Sequence, residues 1–207
     1  MYKNFLKRFF DILLSLIALP FVLLVIIIMA PFIYFEDKGP IFYNATRRGK
    51  NGKNFKMFKL RSMYVDSPDL RNPDGSTFNS DNDPRVTKIG RFMRKTSVDE
   101  LPQILNVLIG DMSFIGPRPT LAKVPFANVP QERKKRYRVR PGITGYAQAY
   151  YRNSITQEEK FKHDCYYVDN VSFVMDVKIL IQTVLSVLKR ENVKTTTEAP
   201  KETVETK

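Results

Sequence analysis

The strongest constraint on this chain is a run of about 24 residues, Ile12 to Phe35, that carries no charge. A helix of that length can cross the hydrocarbon core of a bilayer. Its flanks complicate a simple crossing. Lys3, Lys7 and Arg8 precede the run, and Lys38, Arg47, Arg48, Lys50 and Lys53 follow it. Basic residues favour the cytoplasmic side, so both ends are drawn to one face. Pro20 lies inside the run, where it removes a backbone hydrogen bond and kinks a helix. A straight spanning helix is the plain alternative. A re-entrant helix that enters, breaks at Pro20 and returns to the same face, with Pro31 near the exit, meets both constraints. Residues 2–10 then lie along the surface with Phe5, Leu6, Phe9 and Phe10 toward lipid. The run is too long for a secretory signal, and no small-residue cleavage site follows it.

The rest of the 207 residues is strongly basic, with a net charge of +13. That balance calls for an anionic partner: nucleic acid, a phosphorylated substrate or an anionic lipid surface. One cysteine, Cys165, excludes an internal disulfide, and one cysteine with one histidine, His163, argues against a zinc site. Both residues read as structural.

Beyond the apolar run, Gly39–Tyr43 reads as a turn and short strand. Lys50-Asn51-Gly52-Lys53 reads as a hairpin turn, and Phe55–Met63 as the partner strand. Residues 65–84, rich in Asp, Asn, Pro, Ser and Gly, read as a long polar loop. Val86, Ile89, Phe92 and Met93 have helical spacing, and a second helix is expected from Val98 to Leu108, ended by Gly110. Residues 131–140 carry six basic side chains, either a solvated face or a contact for anionic headgroups. Further helices are expected over 158–168 and 176–189. The tail from about Thr195 is polar and reads as disordered.

The stretch Arg94 to Gln103 carries the chemistry. Ser97 followed three residues later by Glu100 has the spacing of a capping box, which would give Asp99 and Glu100 a purely structural role. The competing reading is catalytic. Two adjacent carboxylates among several basic groups suit a bound diphosphate, with one carboxylate on Mg²⁺ and the other facing phosphorus. A carboxylate can act as a nucleophile in phosphoryl transfer.

Several segments carry a family resemblance. They are Lys7-Arg8-Phe9-Phe10-Asp11, Gly39-Pro40-Ile41-Phe42, Phe58-Lys59-Leu60-Arg61-Ser62-Met63, Asn82-Asp83-Pro84-Arg85, Ser97 to Gln103, Gly110-Asp111-Met112-Ser113, Gly116-Pro117-Arg118-Pro119 and Arg140 to Gly145, with Asp164 and Tyr167 beyond Glu159-Lys160-Phe161. In this order they resemble the bacterial sugar transferases, the monotopic phosphoglycosyl transferases. The resemblance implies an enzyme that moves a sugar-1-phosphate from a UDP-sugar to undecaprenyl phosphate, releasing UMP. It implies Asp99 as nucleophile and Glu100 as the Mg²⁺ ligand. It implies Lys59, Arg94 and Arg118 as phosphate-binding cations, and Asp164 as a further acidic group of the site. It also implies a place on the cytoplasmic face of the bacterial inner membrane, in surface glycan or exopolysaccharide assembly.

Two departures stand out. The family's membrane break is a Ser-Pro pair, whereas this chain has Leu19-Pro20. A glycine is usual where this chain has Tyr151, before Arg152-Asn153.

The expected architecture is α+β and mainly helical: a re-entrant membrane helix over 1–36, a catalytic domain over 37–190 with a small β-hairpin and amphipathic surface helices, and a disordered tail over 191–207. The expected partners are a UDP-sugar, undecaprenyl phosphate and an anionic bilayer, with a homodimer left open. A nucleic-acid partner is not expected, because the aromatic strand patterns of single-strand binders are missing. Direct glycosyl transfer releasing UDP is the nearest alternative chemistry.

Overall fold

A computed structural model describes residues 2–70, 78, 80, 82–152 and 154–189. Part of the polar loop, Asn153 and the polar tail lie outside the described residues. The chain is mainly helical, with two small sheets.

Helix α1 spans Lys7–Asp37 and is preceded by a π-helical turn at Tyr2–Leu6. Pro20 and Pro31 both fall inside it, and it continues through both. Lys38, in the left-handed conformation, closes the helix with its N–H on the Tyr34 carbonyl. Asp11, Ser15, Val22, Met29 and Ile33 are buried along one stripe, while most of the other apolar side chains are exposed. The three-and-four spacing of that stripe lets α1 lie against the rest of the chain over its whole length.

Both ends of α1 are tied to the same body. Near its start, Arg8 donates to the carbonyls of Val107 (2.5 Å) and Leu108 (2.8 Å). Asp11 accepts from the Ser113 hydroxyl (3.0 Å) and the Phe114 N–H (3.1 Å). Asp11 is therefore a buried anchor for the start of α1. Near its end, Asp37 takes two bonds from the Arg61 guanidinium, at 2.5 and 2.6 Å, and Glu36 accepts from the backbone N–H groups of Lys88 and Ile89.

After α1, strands β1 (Ala45–Arg48) and β2 (Asn54–Met57) form the expected hairpin, antiparallel in register Ala45↔Met57 to Arg48↔Asn54. Its turn is a 3₁₀ turn, Lys50–Gly52, with Asn51 and Gly52 both at positive φ, as a tight hairpin requires. The first strand is later in the chain than Gly39–Tyr43, which makes only an isolated bridge from Phe42 to Leu60. The second strand is shorter than expected. Beyond Met57 the backbone finds other partners: Phe58 N–H donates to the Asn106 side chain, Leu60 N–H to the Asp99 carbonyl, and Arg61 N–H to the Ile41 carbonyl.

Helix α2 (Lys88–Thr96) is capped by the Thr87 hydroxyl, which accepts from Gly90 N–H. The second expected helix is divided. A 3₁₀ turn, Val98–Glu100, is followed by helix α3, Gln103–Ile109, with Pro102 at the junction. Gly110, at φ 102°, ends α3 as expected. Strand β3 (Ser113–Ile115) leads to β4 (Thr120–Leu121), which adds to the hairpin in the order β2-β1-β4. The short helix α4 (Gln131–Lys134) and a 3₁₀ turn, Lys135–Arg138, carry the basic run. Strand β5 (Gly142–Thr144) pairs in parallel with β3. Helices α5 (Tyr146–Tyr150), α6 (Gln157–Asp169) and α7 (Phe173–Lys189) complete the described fold. A full capping box between Thr156 and Glu159 opens α6.

The core has three clusters. One joins α1 to the site: Met29 and Ile33 meet Leu60 and Met93. The second packs Phe55 and Met57 on Val107 and Met112. The third gathers Ile115, Ala149, Tyr167 and Ile179.

Candidate active site

Asn106 sets the position of Lys59. Its fully buried amide accepts from Phe58 N–H (2.8 Å) and donates to the Lys56 carbonyl (2.8 Å). One residue past Lys59, Leu60 N–H bonds the Asp99 carbonyl at 2.9 Å. Lys59 thus sits between two pinned neighbours. Its ammonium lies 2.8 Å from Asp99 Oδ2 and 3.5 Å from Glu100 Oε1.

The capping reading of this turn does not hold. Ser97 sits in the left-handed conformation at φ 59° and its side chain caps nothing. The carboxylates are left for Lys59. They differ in access: the Asp99 side chain is 3% exposed and that of Glu100 is 33% exposed. Asp99 Oδ2 has no aligned hydrogen bond, so the Lys59 contact is an ion pair without a directed donor. Burial pushes the Glu100 carboxyl upward in pKa. The charges of Lys59 and Arg118, the Lys59 hydrogen bond and the charge of Arg47 outweigh burial and hold it below its ordinary value. Glu100 is therefore ionised at neutral pH.

Arg94 reaches the pair from α2. Gly90 allows this, because a Cβ there would stand 2.1 Å from the Ser62 carbonyl oxygen. With only hydrogen at that point, α2 settles on Ser62, and one turn later Arg94 Nε donates to the Ser62 hydroxyl at 3.0 Å. Burial lowers the Arg94 pKa, and the nearby carboxylates of Asp99, Asp83 and Glu100 oppose that shift. The guanidinium stays charged regardless.

Arg118 is exposed in the turn between β3 and β4, within the fields of both Glu100 and Asp164. Asp164 stands one step further back. It is buried in an ion pair with Arg136, whose guanidinium also donates to the Arg118 carbonyl at 2.8 Å. Asp164 positions the Arg118 turn through Arg136. Burial pushes the Asp164 carboxyl up to about 6, against the pull of Arg136, Arg118 and Lys160.

Asp99, Glu100, Lys59, Arg94 and Arg118 thus converge, Asp164 supports them, and Pro20 lies away from them within α1. Sequence reasoning missed three contributors. Arg47, visible only as a flanking charge, acts on Glu100 from β1. Ser62 holds Arg94. Arg136, one base in a run that suggested a solvated face, is 4% exposed and pairs with Asp164. Among the described residues no three carboxylate, histidine or cysteine side chains gather as a metal cage. The carboxylate pair suits a cation that shares its coordination with phosphate oxygens.

The profile of the bacterial sugar transferases matches residues 2–190, nearly the whole described fold. This chain belongs to the bacterial sugar transferase family. Among its relatives in the family, the uncharacterized sugar transferase EpsL of Bacillus subtilis (strain 168) is 42% identical over 192 residues, covering 92% of this chain and 91% of its own. The exopolysaccharide production protein PSS of Rhizobium leguminosarum bv. phaseoli is 40% identical over 202 residues, covering 89% of this chain and 96% of its own. The undecaprenyl-phosphate galactose phosphotransferase of Salmonella typhimurium is 36% identical over 214 residues, covering 91% of this sugar transferase but only 42% of its own length.

Proposed function

We infer that this chain transfers a sugar-1-phosphate from a UDP-sugar to undecaprenyl phosphate through a covalent adduct on Asp99. The observation that carries the reading is the Lys59-bridged Asp99–Glu100 pair, free of any capping duty and ringed by Arg94, Arg118 and Arg47. Relatives named as undecaprenyl-phosphate phosphotransferases for galactose and for glucose support the substrate class.

An Asp99 oxygen attacks the phosphorus that carries the sugar. The bond from that phosphorus to the bridging oxygen breaks, and UMP leaves with the electron pair. A phosphate oxygen of undecaprenyl phosphate then attacks the same phosphorus. Asp99 departs as carboxylate, and a polyprenyl diphosphosugar is formed. The surrounding cations meet the negative charge of the two phosphates, and Lys59 shifts from Asp99 to the incoming phosphate. Glu100, ionised and partly exposed, would hold Mg²⁺, which neutralises phosphate charge when bound.

The same reading puts α1 in the cytoplasmic leaflet of the bacterial inner membrane, entering and returning on one face. Its support is that Arg8 and Asp11 at one end, and Glu36 and Asp37 at the other, all bind the same catalytic body.

The test is nucleotide release from a panel of UDP-sugars by the reconstituted protein with Mg²⁺ and undecaprenyl phosphate. UMP is expected, and Asp99→Asn should abolish turnover while the protein stays folded. Release of UDP, or near-normal turnover by Asp99→Asn, refutes the covalent route.

A further inference from the structure

A cluster of basic side chains lies apart from the carboxylate pair. An open cleft is lined by Lys3, Lys7, Arg8, Lys50, Arg138 and Arg140, with Asp11, Ser113, Val139 and Val171 completing its wall. It shares no residue with the site built on Asp99 and Glu100. Three separate parts of the chain bring their bases here: the turn before α1 with its first residues, the hairpin turn and the end of the basic run.

The charges in the cleft are poorly compensated. Asp11, its one carboxylate, is committed to Ser113 and Phe114. Lys7 is paired with Asp176 at 2.6 Å. The other five bases have no carboxylate in ion-pair contact among the described residues. The side chains of Lys3, Arg8 and Arg140 bond backbone carbonyls only, and those of Lys50 and Arg138 have no hydrogen bond among the described residues. The guanidinium groups of Arg8 and Arg140 also converge. A Cβ on Gly110 would lie 3.3 Å from one and 3.9 Å from the other. Like charges gathered in a concave space favour an anion.

The border of the cleft says which kind. Phe10, three residues after Lys7 and so on the same side of α1, stands exposed. Phe173 packs on Tyr2 and Phe10 at ring-centre distances of 5.8 Å and is itself exposed, beside Val174. A basic cleft opening onto an apolar surface matches a molecule with a phosphate at one end and hydrocarbon at the other. A soluble anion would use only the first half.

We propose that this cleft binds the phosphate headgroup of an anionic membrane lipid, whose chains lie on the Phe10, Phe173 and Val174 surface. The site is separate from the transfer chemistry and does not depend on it.

Native mass spectrometry of the full chain in detergent, titrated with phosphatidylglycerol, tests this. One phosphatidylglycerol per chain is expected, with phosphatidylcholine bound much more weakly. Lys50→Ala with Arg138→Ala should weaken phosphatidylglycerol binding about thirtyfold. Lys123→Ala with Lys162→Ala removes equal charge from exposed sites and should change it less than threefold. Asp99→Asn should bind as wild type, so the result stands whatever the chemistry at that residue. Equal losses from the two double variants, or equal binding of the two lipids, overturn the proposal. Displacement of the lipid by an equal concentration of inorganic phosphate also overturns it, by assigning the cleft to a soluble anion.

Discussion

Lys59 touches both carboxylates, so its loss separates charge effects from nucleophilicity. Lys59→Ala should lower turnover about a hundredfold or more, by analogy with removing one preorganised charge donor, while a covalent adduct on Asp99 remains detectable. Turnover and intact-mass analysis together check this. Asp164 gives a pH test. Its folded carboxyl titrates near 6, above its ordinary 3.8. Between those values the unfolded chain has released a proton that the folded protein keeps. Stability from this group is therefore present at acid pH and is lost as pH rises from roughly 4 to 6. Melting temperature followed across that window should fall for wild type and flatten in Asp164→Asn. At this scale the carboxylate pair was legible as two adjacent acids among bases. The parts that were not legible, Arg47, Ser62 and Arg136, reach the site through register and burial. A count of charges treats Arg136 like any other base in its run, although it alone there is paired with a buried acid.

Elements were legible where their signals are local. The hairpin turn at Lys50–Gly52, the stop at Gly110 and the start of α6 follow from turn and cap chemistry within a few residues. The strand expected over Phe55–Met63 stops at Met57 because its next backbone donors are claimed by Asn106, Asp99 and Ile41, distant in sequence. The capping box at Ser97 fails for a similar reason: Ser97 turns left-handed at the end of α2 and leaves the helix beyond it to begin after Pro102. Asn106 is the element-scale test. Asn106→Ala strands Phe58 N–H and the Lys56 carbonyl, and should cost about 2–4 kcal/mol of stability, since each buried group left unpaired costs about 1–3 kcal/mol. Thermal unfolding measures that loss, and a fall in turnover beyond the loss of folded protein would show Lys59 drifting from Asp99.

For the molecule as a whole, the apolar run was legible as a helix, and its relation to the body was not, because hydropathy does not say which stripe is covered. α1 carries a buried stripe from Asp11 to Ile33 and polar ties at both ends. Cysteines near positions 4 and 50 should therefore label from the same side of the membrane, and labelling from opposite sides would defeat the re-entrant arrangement. The Asp37–Arg61 pair closes the far end of α1. Asp37→Ala leaves the buried Arg61 guanidinium without its carboxylate, and should destabilise the fold by about 3–5 kcal/mol. Detergent-solubilised melting curves would register it.

The stripe along α1 has one more consequence. Met29 and Ile33 supply half of the cluster that holds Leu60 and Met93 in place, and those two residues frame Lys59 and Arg94. The hydrophobic anchor is thus not a detachable tether. Cutting it away to obtain a water-soluble fragment would strip the wall from behind Lys59 and Arg94, and the remainder from residue 38 onward should precipitate or lose its cooperative melt.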